Sequence, residues 1–421
     1  MKTNTAFAPL NQGMSRVTTR VLIVLSVLGL GAVLYRFLFG LGAATNLSNQ
    51  YPWGIWKAIS VAAAVALATG GFTTAALVHV FHRRAYDSIS RVALLIGVLG
   101  YTFGCVSLAV DIGRYYNIWH PAWPTMWQGN SVLFEVAMCI MSYLMILYIE
   151  FTPIVCERFR GRVALPGALA RWNGAVDALL GLADRLTGKV LSFFVVFGVV
   201  LSCMHHSSLG ALMLVAPNKM HPLWYTPALP LLFLLSVFSA GFAFVILASI
   251  LLSRGAGRRP DMAMLGSLSR YVLVFLAVYL AAKLSDLIIR EAHTALFAGE
   301  VETVWFLAEF VLGGLAPLCM LASVRVRRSP GLLAWACGLT GFGLFMNRVN
   351  VFLVAYHSAY TTTRYFPSLA EILTVAGLTA IFVILFRFAV VILPILPKSA
   401  PEAGPELVVE ASGEVDECVR A

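Results

Sequence analysis

The chain has 421 residues, of which 60% are hydrophobic and 12% are charged, and its formal net charge is +10. Soluble domains carry roughly 25% charged residues. The composition therefore excludes a soluble globular protein and predicts an all-α membrane protein, a bundle of membrane-spanning helices. The basic excess is interpreted as a requirement of membrane insertion, and not as a nucleic-acid-binding surface.

Ten apolar runs follow one another along the chain, each long enough to cross a bilayer. They cover residues 21–41, 53–80, 92–112, 131–155, 189–215, 227–252, 271–289, 304–324, 331–355 and 369–396. The first run is about 20 residues long and exceeds the apolar core of a signal peptide, so we expect it to be a retained helix. The domain prediction is a cytoplasmic segment over 1–20 and a ten-helix bundle over 21–397.

Two polar segments complete this organisation. The connection 156–188 carries five arginines, and its middle has helical apolar periodicity. We expect it to lie along the cytoplasmic membrane surface. Residues 398–421 contain six acidic groups and no apolar periodicity, so we expect a disordered cytoplasmic tail.

The distribution of Lys and Arg predicts the orientation of the bundle. With the N-terminus in the cytoplasm, 21 of the 30 basic residues fall in inner segments, and 4 fall in outer loops. Because inner loops are enriched in Lys and Arg, both termini are predicted to lie on the cytoplasmic side.

The stretch 110–135, between the third and fourth runs, concentrates ionisable groups at one membrane face. Asp111 and Arg114 are three residues apart, so on a helix their side chains would meet. Glu135 lies about one turn into the following run. Charged groups in a bilayer are costly and indicate a functional site. The alternative, which the spacing leaves open, is an interfacial belt of Trp and Tyr side chains with an orienting ion pair.

Other polar residues are predicted at a similar depth. They are Lys57, His205, His206, Ser207, Ser208, Lys283, Asp286, Asn347 and Arg348. A pump or transporter would carry ionisable groups through the midplane, whereas this pattern predicts one polar chamber near the outer face. Such a chamber suits a quinone, since imidazole can donate to a carbonyl and a poorly hydrated glutamate can carry a proton. A hydrogen bond between helices is the alternative for the histidine pair.

Haem and metal clusters fit the pattern less well. Of eight histidines, only His79, His205 and His206 lie in predicted spans. Adjacent histidines point about 100° apart on a helix, so the pair cannot both ligate one iron. None of the seven cysteines forms a C-x-x-C pair. We therefore predict no haem, iron–sulfur cluster or other metal site within this chain. A haem with a methionine or another residue as axial ligand is the alternative that the histidine count leaves open.

Eight motifs along the chain resemble one known family. They are FGLG (39–42), YPWGIW (51–56), DIGRYYN (111–117), NSVLFE (130–135), MHHSSLGALM (204–213), HPLW (221–224), YFPSLAEIL (365–373) and ILPILP (392–397). Together they resemble the integral membrane subunit ("cytochrome b subunit") of periplasmic nickel–iron hydrogenases of the Hyb type, within the broader NrfD/polysulfide-reductase family. The resemblance runs along nearly the whole chain.

This resemblance implies a ten-helix subunit without haem, in the bacterial inner membrane. It implies docking to a periplasmic ferredoxin-like 4Fe-4S subunit, and through it to the small and large hydrogenase subunits. It further implies a site for menaquinone or ubiquinone near the periplasmic face. The motifs assign quinone binding to Asp111, Arg114, Tyr115, His205 and Ser208, and proton transfer to Glu135. His206 departs from the family pattern. Lys57 is added on its predicted depth alone.

Three functions stay open on the sequence. The first is hydrogen:quinone oxidoreduction, with the catalytic metals on other subunits. The second keeps the family but changes the partner to a polysulfide, tetrathionate, sulfite or nitrite reductase. The third is a carrier of a solute or protons, for which the glycines in ATGG (68–71) are the one hint of a broken helix. Close helix packing is the first interpretation of those glycines. An inner proton path would have to use Thr69, Thr73, Thr74, Ser142 and Tyr143.

Overall fold

The computed structural model describes residues 7–9, 15–358 and 364–397. Within them, ten helices are long and apolar enough to cross a membrane, so the predicted all-α multi-pass architecture is confirmed. They are α1 (Arg16–Phe39), α2 (Trp56–Val80), α3 (Arg84–Asp111), α4 (Val132–Phe159), α5 (Gly167–Val215), α6 (Leu229–Gly255), α7 (Met262–Ile289), α8 (Val301–Ala322), α9 (Pro330–Val354) and α10 (Leu369–Ile392). Two short antiparallel strands, β1 (Phe7–Ala8) and β2 (Leu396–Pro397), pair with each other. The N-in, C-in orientation stays a prediction, and the predicted tail lies outside the described residues.

Short polar residues set the boundaries of several spans. Ser15, Ser131, Asp261 and Ser368 precede α1, α4, α7 and α10, and their side-chain oxygens accept backbone N–H groups of the first turn. These caps satisfy donors that a helix leaves unpaired at its start. Gly40, in the FGLG motif, ends α1 with a φ of 88°, a conformation that glycine adopts without strain.

The fifth span extends far beyond its predicted start. It contains an uninterrupted α-helix from Asn173 to Ala211, 39 residues long. At 1.5 Å per residue this is about 58 Å, nearly twice the ~30 Å hydrocarbon core. Arg160 at the end of α4 pairs with Asp184 of this helix at 2.7 Å. Residues 173–188 are thus helical and continuous with the span. The prediction that segment 156–188 lies on the membrane surface stays a prediction.

The first and last spans cross at a pair of glycines. A Cβ atom added to Gly29 would lie 2.5 Å from the Cα of Gly377, and one added to Gly377 would lie 2.4 Å from the Cα of Gly29. Non-bonded carbons do not approach so closely. Only glycine at both positions therefore allows this backbone contact between α1 and α10.

Glu371, in the first turn of α10, connects α10 to the start of α2. Its carboxylate accepts hydrogen bonds from the Tyr365 hydroxyl at 2.6 Å and the backbone N–H of Ser368 at 2.7 Å. The N–H of Asn46 also donates to it, at 3.1 Å. Its backbone oxygen accepts from the Trp56 indole at 3.0 Å. Burial, with the bond to Glu371, raises the pKa of Tyr365, so its hydroxyl remains a donor. The YPWGIW and YFPSLAEIL motifs thus meet at this carboxylate.

The glycines of ATGG pack closely, as the first interpretation predicts. A Cβ atom added to Gly70 would lie 2.4 Å from Cγ2 of Val245 and 3.0 Å from the oxygen of Gly241 in α6. The same segment also interrupts α2, because the chain forms a turn at Ala68 and Thr69. α2 therefore contains both a break and a tight helix contact. It also contains two π-helical stretches, one of which begins at Trp56.

A polar cluster that the sequence did not assemble is buried among α6, α7, α8 and α9. Lys283 forms a buried ion pair with Glu309 of α8. Three further groups donate to the Glu309 carboxylate, namely Asn347 at 2.8 Å, Asn350 at 2.9 Å and the Trp224 indole at 2.9 Å. Asp286, three residues after Lys283, pairs instead with Arg290 at 2.8 Å.

Arg348 adds a second cation to this cluster. It is 1% exposed, and its guanidinium donates to Asn347 at 2.6 Å and to Ser236 at 2.9 Å. The guanidinium carbon lies 3.6 Å from the ring centroid of Phe233, in cation–π contact. These contacts replace the hydration that the cation would have in water.

We expect Glu309→Leu to destabilise the protein more than Lys283→Met/Glu309→Leu does. The single change leaves Lys283 buried without its counter-charge, at a cost of about 3–5 kcal/mol. The double change removes both charges and should recover most of that loss. The measurement is the melting temperature of each purified variant in detergent. A double variant no more stable than the single one would contradict the prediction.

Candidate functional site

A cavity opens among five of the ten spans, near the predicted outer chamber. Its volume is about 260 Å³. It is lined by Lys57, Val61, Ala62, Leu108, Ile112, Leu133, Val136, Ala137, Ile140, Leu209, Leu212 and Phe352. These residues come from α2 to α5 and the residue after α3, with one ring from α9. Leu133 is 56% exposed, so the cavity opens toward the outside of the bundle beside α4.

Lys57 is the charged side chain of the cavity wall, and Asp111 is its partner. Lys57 Nζ lies 2.6 Å from Asp111 Oδ2, with 20% of the lysine side chain and 4% of the aspartate side chain exposed. Lys57 sits in the π-helical stretch Trp56–Ala63. Such stretches occur often at functional sites. The ion pair thus presents an ammonium group, held by a buried carboxylate, to an apolar cavity.

The predicted pairing of Asp111 with Arg114 is wrong. α3 ends at Asp111, and Ile112 is extended, with a ψ of 121°. The helical spacing that would bring residues i and i+3 together therefore no longer applies. Among the described residues, the ion-pair partner of Asp111 is Lys57, and Arg114 is exposed.

Tyr115 packs on α1 and does not line the cavity. Its ring centroid lies 4.8 Å from that of Phe37, and the guanidinium carbon of Arg36 lies 5.1 Å from it. Arg36, 1% exposed, donates to the backbone oxygens of Val110 at 2.6 Å and Ile112 at 2.5 Å. It therefore caps the end of α3 at the point where Asp111 meets Lys57. The sequence did not single out Arg36.

Glu135 and Ser208 meet at the edge of the cavity. Ser208 Oγ lies 2.5 Å from Glu135 Oε1 and 3.0 Å from the backbone oxygen of Met204. A hydroxyl has one hydrogen, which can satisfy only one of these acceptors. When the carboxyl carries a proton, Glu135 donates to Ser208 and Ser208 donates to Met204. The geometry therefore accommodates both protonation states of Glu135.

This pair connects the cavity to the surface of the chain. The neighbours Val136 and Leu209 line the cavity, whereas Glu135 itself is exposed. Ser131 caps the helix one turn earlier and holds the NSVLFE motif in place. The Glu135 carboxylate thus lies between the exposed surface of α4 and the residues that line the cavity.

The two histidines share one hydroxyl that the sequence did not single out. Tyr101 Oη lies 2.8 Å from His205 Nε2 and 3.0 Å from His206 Nε2. His205 Nδ1 lies 2.9 Å from the backbone oxygen of Leu201, which can only accept. In neutral His205, Nδ1 therefore donates to Leu201, and Nε2 accepts from the Tyr101 hydroxyl. His206 Nε2 then donates to Tyr101.

Both histidines are 0% exposed, and neither lines the cavity. Leu209, one turn beyond His205, lines the cavity in its place. The histidine pair and Tyr101 form an ordered hydrogen-bond chain beside the cavity. No cue in the sequence ties Tyr101 to residues about 100 positions away.

Buried polar side chains continue from the histidines away from the cavity. The Tyr143 ring centroid lies 4.7 Å from that of Tyr101 and 5.7 Å from that of His205. A Cβ atom added to Gly198 would lie 3.3 Å from both Tyr143 and Glu150, so these two side chains converge on one point of α5. Among the residues that the sequence suggested for an inner proton path, Tyr143 belongs to this series of polar side chains.

The other candidates for an inner path make local contacts. Thr69 donates to the backbone oxygen of Ala66 at 2.7 Å, and Thr73 donates to that of Thr69 at 3.2 Å. The Thr74 hydroxyl is buried without a hydrogen-bond partner among the described residues. Ser142 is partly exposed on α4. These contacts do not link the four residues into one path.

The histidines in the spans do not fit a haem. A bis-histidine haem needs two imidazoles on opposite sides of one iron. His205 and His206 are adjacent, their ring centroids are 4.2 Å apart, and both Nε2 atoms face the same hydroxyl. His79 lies near the far end of α2. In the described part of the chain, no three His, Cys, Asp or Glu side chains are grouped to hold a metal ion.

Comparisons with known proteins match the chain over most of its length. The family model described as "Polysulphide reductase, NrfD" matches residues 43–359. The chain is 34% identical over 368 residues to a protein of Escherichia coli (strain K12) named "Probable Ni/Fe-hydrogenase 2 b-type cytochrome subunit", covering 87% of this chain and 88% of that protein.

Two more distant relatives have other names. The menaquinone reductase integral membrane subunit of Nitratidesulfovibrio vulgaris is 27% identical over 389 residues, which are 86% of this chain and 87% of that protein. A selenate reductase subunit of Mesobacillus selenatarsenatis is 21% identical over 410 residues, which are 90% and 94% of the two chains. The breadth of the family match and the identity to the first relative show that the chain belongs to the NrfD family of membrane proteins.

Proposed function

We propose that this chain is the quinone-binding membrane subunit of a respiratory oxidoreductase, most like a periplasmic nickel–iron hydrogenase. It anchors the complex in the bacterial inner membrane and passes electrons between a periplasmic iron–sulfur subunit and the quinone pool, with associated proton transfer. The names of two relatives, a hydrogenase subunit and a menaquinone reductase subunit, support this assignment.

One observation carries the proposal: an apolar cavity among α2 to α5 has a charge pair at its wall. A quinone needs an apolar opening for its isoprenoid tail and polar groups for its two carbonyls. The cavity of about 260 Å³ opens beside Leu133 and meets Lys57 inside. The Lys57 ammonium can donate to a carbonyl oxygen while the Asp111 carboxylate holds it in place. In this proposal, Arg114 and Tyr115 act on the quinone only from the loop that follows α3.

Reduction of a quinone consumes two electrons and two protons. The electrons come from the 4Fe-4S clusters of a ferredoxin-like partner. That partner receives them in turn from the small and large nickel–iron subunits. Menaquinone and ubiquinone both undergo this two-electron, two-proton reduction. Protons reach the cavity edge through Glu135, which exchanges one with Ser208 as its hydrogen bonds rearrange.

His205 contributes in this proposal through Tyr101. Both nitrogens of its ring have protein partners, so contact with a headgroup requires an exchange of the Tyr101 bond. The chain from His206 through Tyr101 to His205 can also pass a proton along aligned hydrogen bonds. This hydrogen-bond chain lies beside the wall of the cavity. It fixes the orientation of the His205 imidazole that a ligand would meet.

Two alternatives are kept from the sequence. A membrane anchor of a polysulfide, tetrathionate, nitrite or related reductase uses the same cavity with a different partner, and the selenate reductase relative favours that class. A carrier would use paired half-helices near the midplane. The turn at Ala68 and Thr69 interrupts one span, α2, where the glycines already have a packing role.

We expect Lys57→Met to reduce quinol formation at least tenfold, because the cavity loses its cation and Asp111 loses its partner. The assay uses the complex purified with its partners, hydrogen as reductant and a soluble quinone analogue as acceptor. Reduction of an artificial dye upstream of this subunit should be unchanged. Lys189→Met, the same change at an exposed site outside the cavity, is the matched control. Quinol formation at the wild-type rate in Lys57→Met would place the site elsewhere.

The same assay tests the hydrogenase assignment. If hydrogen reduces neither the dye nor the quinone in the wild-type complex, the assignment fails, and polysulfide, tetrathionate and selenate become the acceptors to test.

We expect Glu135→Gln to slow quinol formation and to change its solvent isotope effect, because glutamine keeps the shape of the side chain and cannot carry a proton. Rates in H₂O and D₂O are compared for wild type, Glu135→Gln and Ser208→Ala. The serine variant keeps the carboxyl group and should show a smaller loss. An unchanged rate and isotope effect in Glu135→Gln would leave this residue with a structural function only.

We expect Tyr101→Phe to reproduce the effect of His205→Ala on quinol formation. The phenylalanine keeps the ring but leaves both Nε2 atoms without their shared partner. Dye reduction and melting temperature are the controls for folding. If His205→Ala abolishes quinol formation and Tyr101→Phe leaves it intact, the imidazole acts without the hydroxyl.

A further inference from the structure

A second large cavity lies at the other end of α2, near the start of α3. Its volume is about 270 Å³. It is lined by Thr73, Ala76, Leu77, Phe81, Arg83, Phe238, Phe242, Tyr271 and Phe275. Five of these nine side chains are aromatic, and one is a guanidinium. The cavity thus combines a long apolar wall with one cationic group.

Aromatic contacts build this wall from α6 and α7. The rings of Phe238 and Phe275 stack at 5.0 Å, and the centroids of Phe242 and Tyr271 are 5.8 Å apart. Phe81, which also lines the cavity, is 68% exposed, so the cavity opens to the outside of the bundle beside the end of α2. The wall is therefore reachable from the bilayer.

The backbone places Arg83 at the cavity. His82 adopts a left-handed conformation with a φ of 53°, which non-glycine residues adopt only where the surroundings impose it. The next N–H, that of Arg83, donates back to the oxygen of Leu77 at 3.0 Å. This bond holds the arginine over the end of α2 instead of leaving it in a free loop.

Two further arginines are near this site in the chain. Tyr86 connects the loop to α7, since its hydroxyl bonds to Ser267 at 2.9 Å and its ring contacts Tyr271 at 6.1 Å. Arg84 and Arg270 flank this contact, and both are exposed. The carboxylates on the neighbouring helix ends are Asp87, at the start of α3, and Asp261, which caps α7.

We propose that this cavity binds an anionic phospholipid, with its phosphate at Arg83 and one acyl chain against the aromatic wall. A guanidinium recognises phosphate oxygens with paired hydrogen bonds. Basic pockets between spans on the cytoplasmic side are sites for anionic headgroups, and the positive-inside pattern predicts that side here. A free phosphate would leave the apolar wall unused. A quinone would leave the three arginines unused.

The test is lipid retention, which needs no quinone and does not depend on the proposed function. Wild type, Arg83→Gln/Arg84→Gln and Ala76→Phe, which fills the cavity, are purified in mild detergent, and bound lipid is identified by mass spectrometry. The control is Arg16→Gln/Arg20→Gln, which removes two exposed arginines of α1. We expect at least a fivefold loss of retained anionic lipid in both cavity variants and none in the control.

A second readout is thermal stability after delipidation. Added phosphatidylglycerol should raise the melting temperature of wild type and control more than phosphatidylcholine does, and this difference should vanish in Arg83→Gln/Arg84→Gln. Three results would overturn the proposal. They are equal retention of phosphatidylglycerol and phosphatidylcholine by wild type, unchanged retention of anionic lipid in Arg83→Gln/Arg84→Gln, and retention of anionic lipid that appears only after the acidic residues 398–421 are removed.

Discussion

The buried charges of the spans pair with groups on other helices, and these pairings set how the spans are arranged. A charge in hydrocarbon without a partner is costly, and each pair made across helices fixes their relative position. Lys57 and Asp111 fix α2 against α3. Lys283 and Glu309 fix α7 against α8. Arg36 fixes α1 against the end of α3 by hydrogen bonds to backbone oxygens.

The two halves of the bundle use this constraint in different ways. In the α6–α9 cluster, four groups converge on the Glu309 carboxylate. The cavity beside it is only about 20 Å³, which is room for about one water. Among α2 to α5, the ion pair faces an opening of about 260 Å³. In the first arrangement both oxygens of the Glu309 carboxylate have their donors, whereas in the second the Lys57 ammonium borders an open cavity.

Hydropathy and charge distribution predict the ten spans because apolar length and basic loops are properties of single segments. Partner choice is not such a property. The spacing of Asp111 and Arg114 predicts an ion pair only if the helix continues through Arg114, and the helix ends before it. Lys57 and Asp111 are 54 positions apart, so no local pattern joins them. Tyr101 looks like any aromatic residue of an apolar run until α5 brings both histidines to its hydroxyl.

The contact between Gly29 and Gly377 also bears on biogenesis. A ribosome releases α1 long before α10, so for most of synthesis the glycine face of α1 has no backbone to pack against. The Trp56 indole likewise has no hydrogen-bond partner until Glu371 is synthesised, and Glu371 is the residue that fixes the start of α2. The lysine-bearing segment is therefore locked in place only once α10 has been synthesised. A chain interrupted before α10 would leave the glycine face of α1 and the Trp56 indole without these partners.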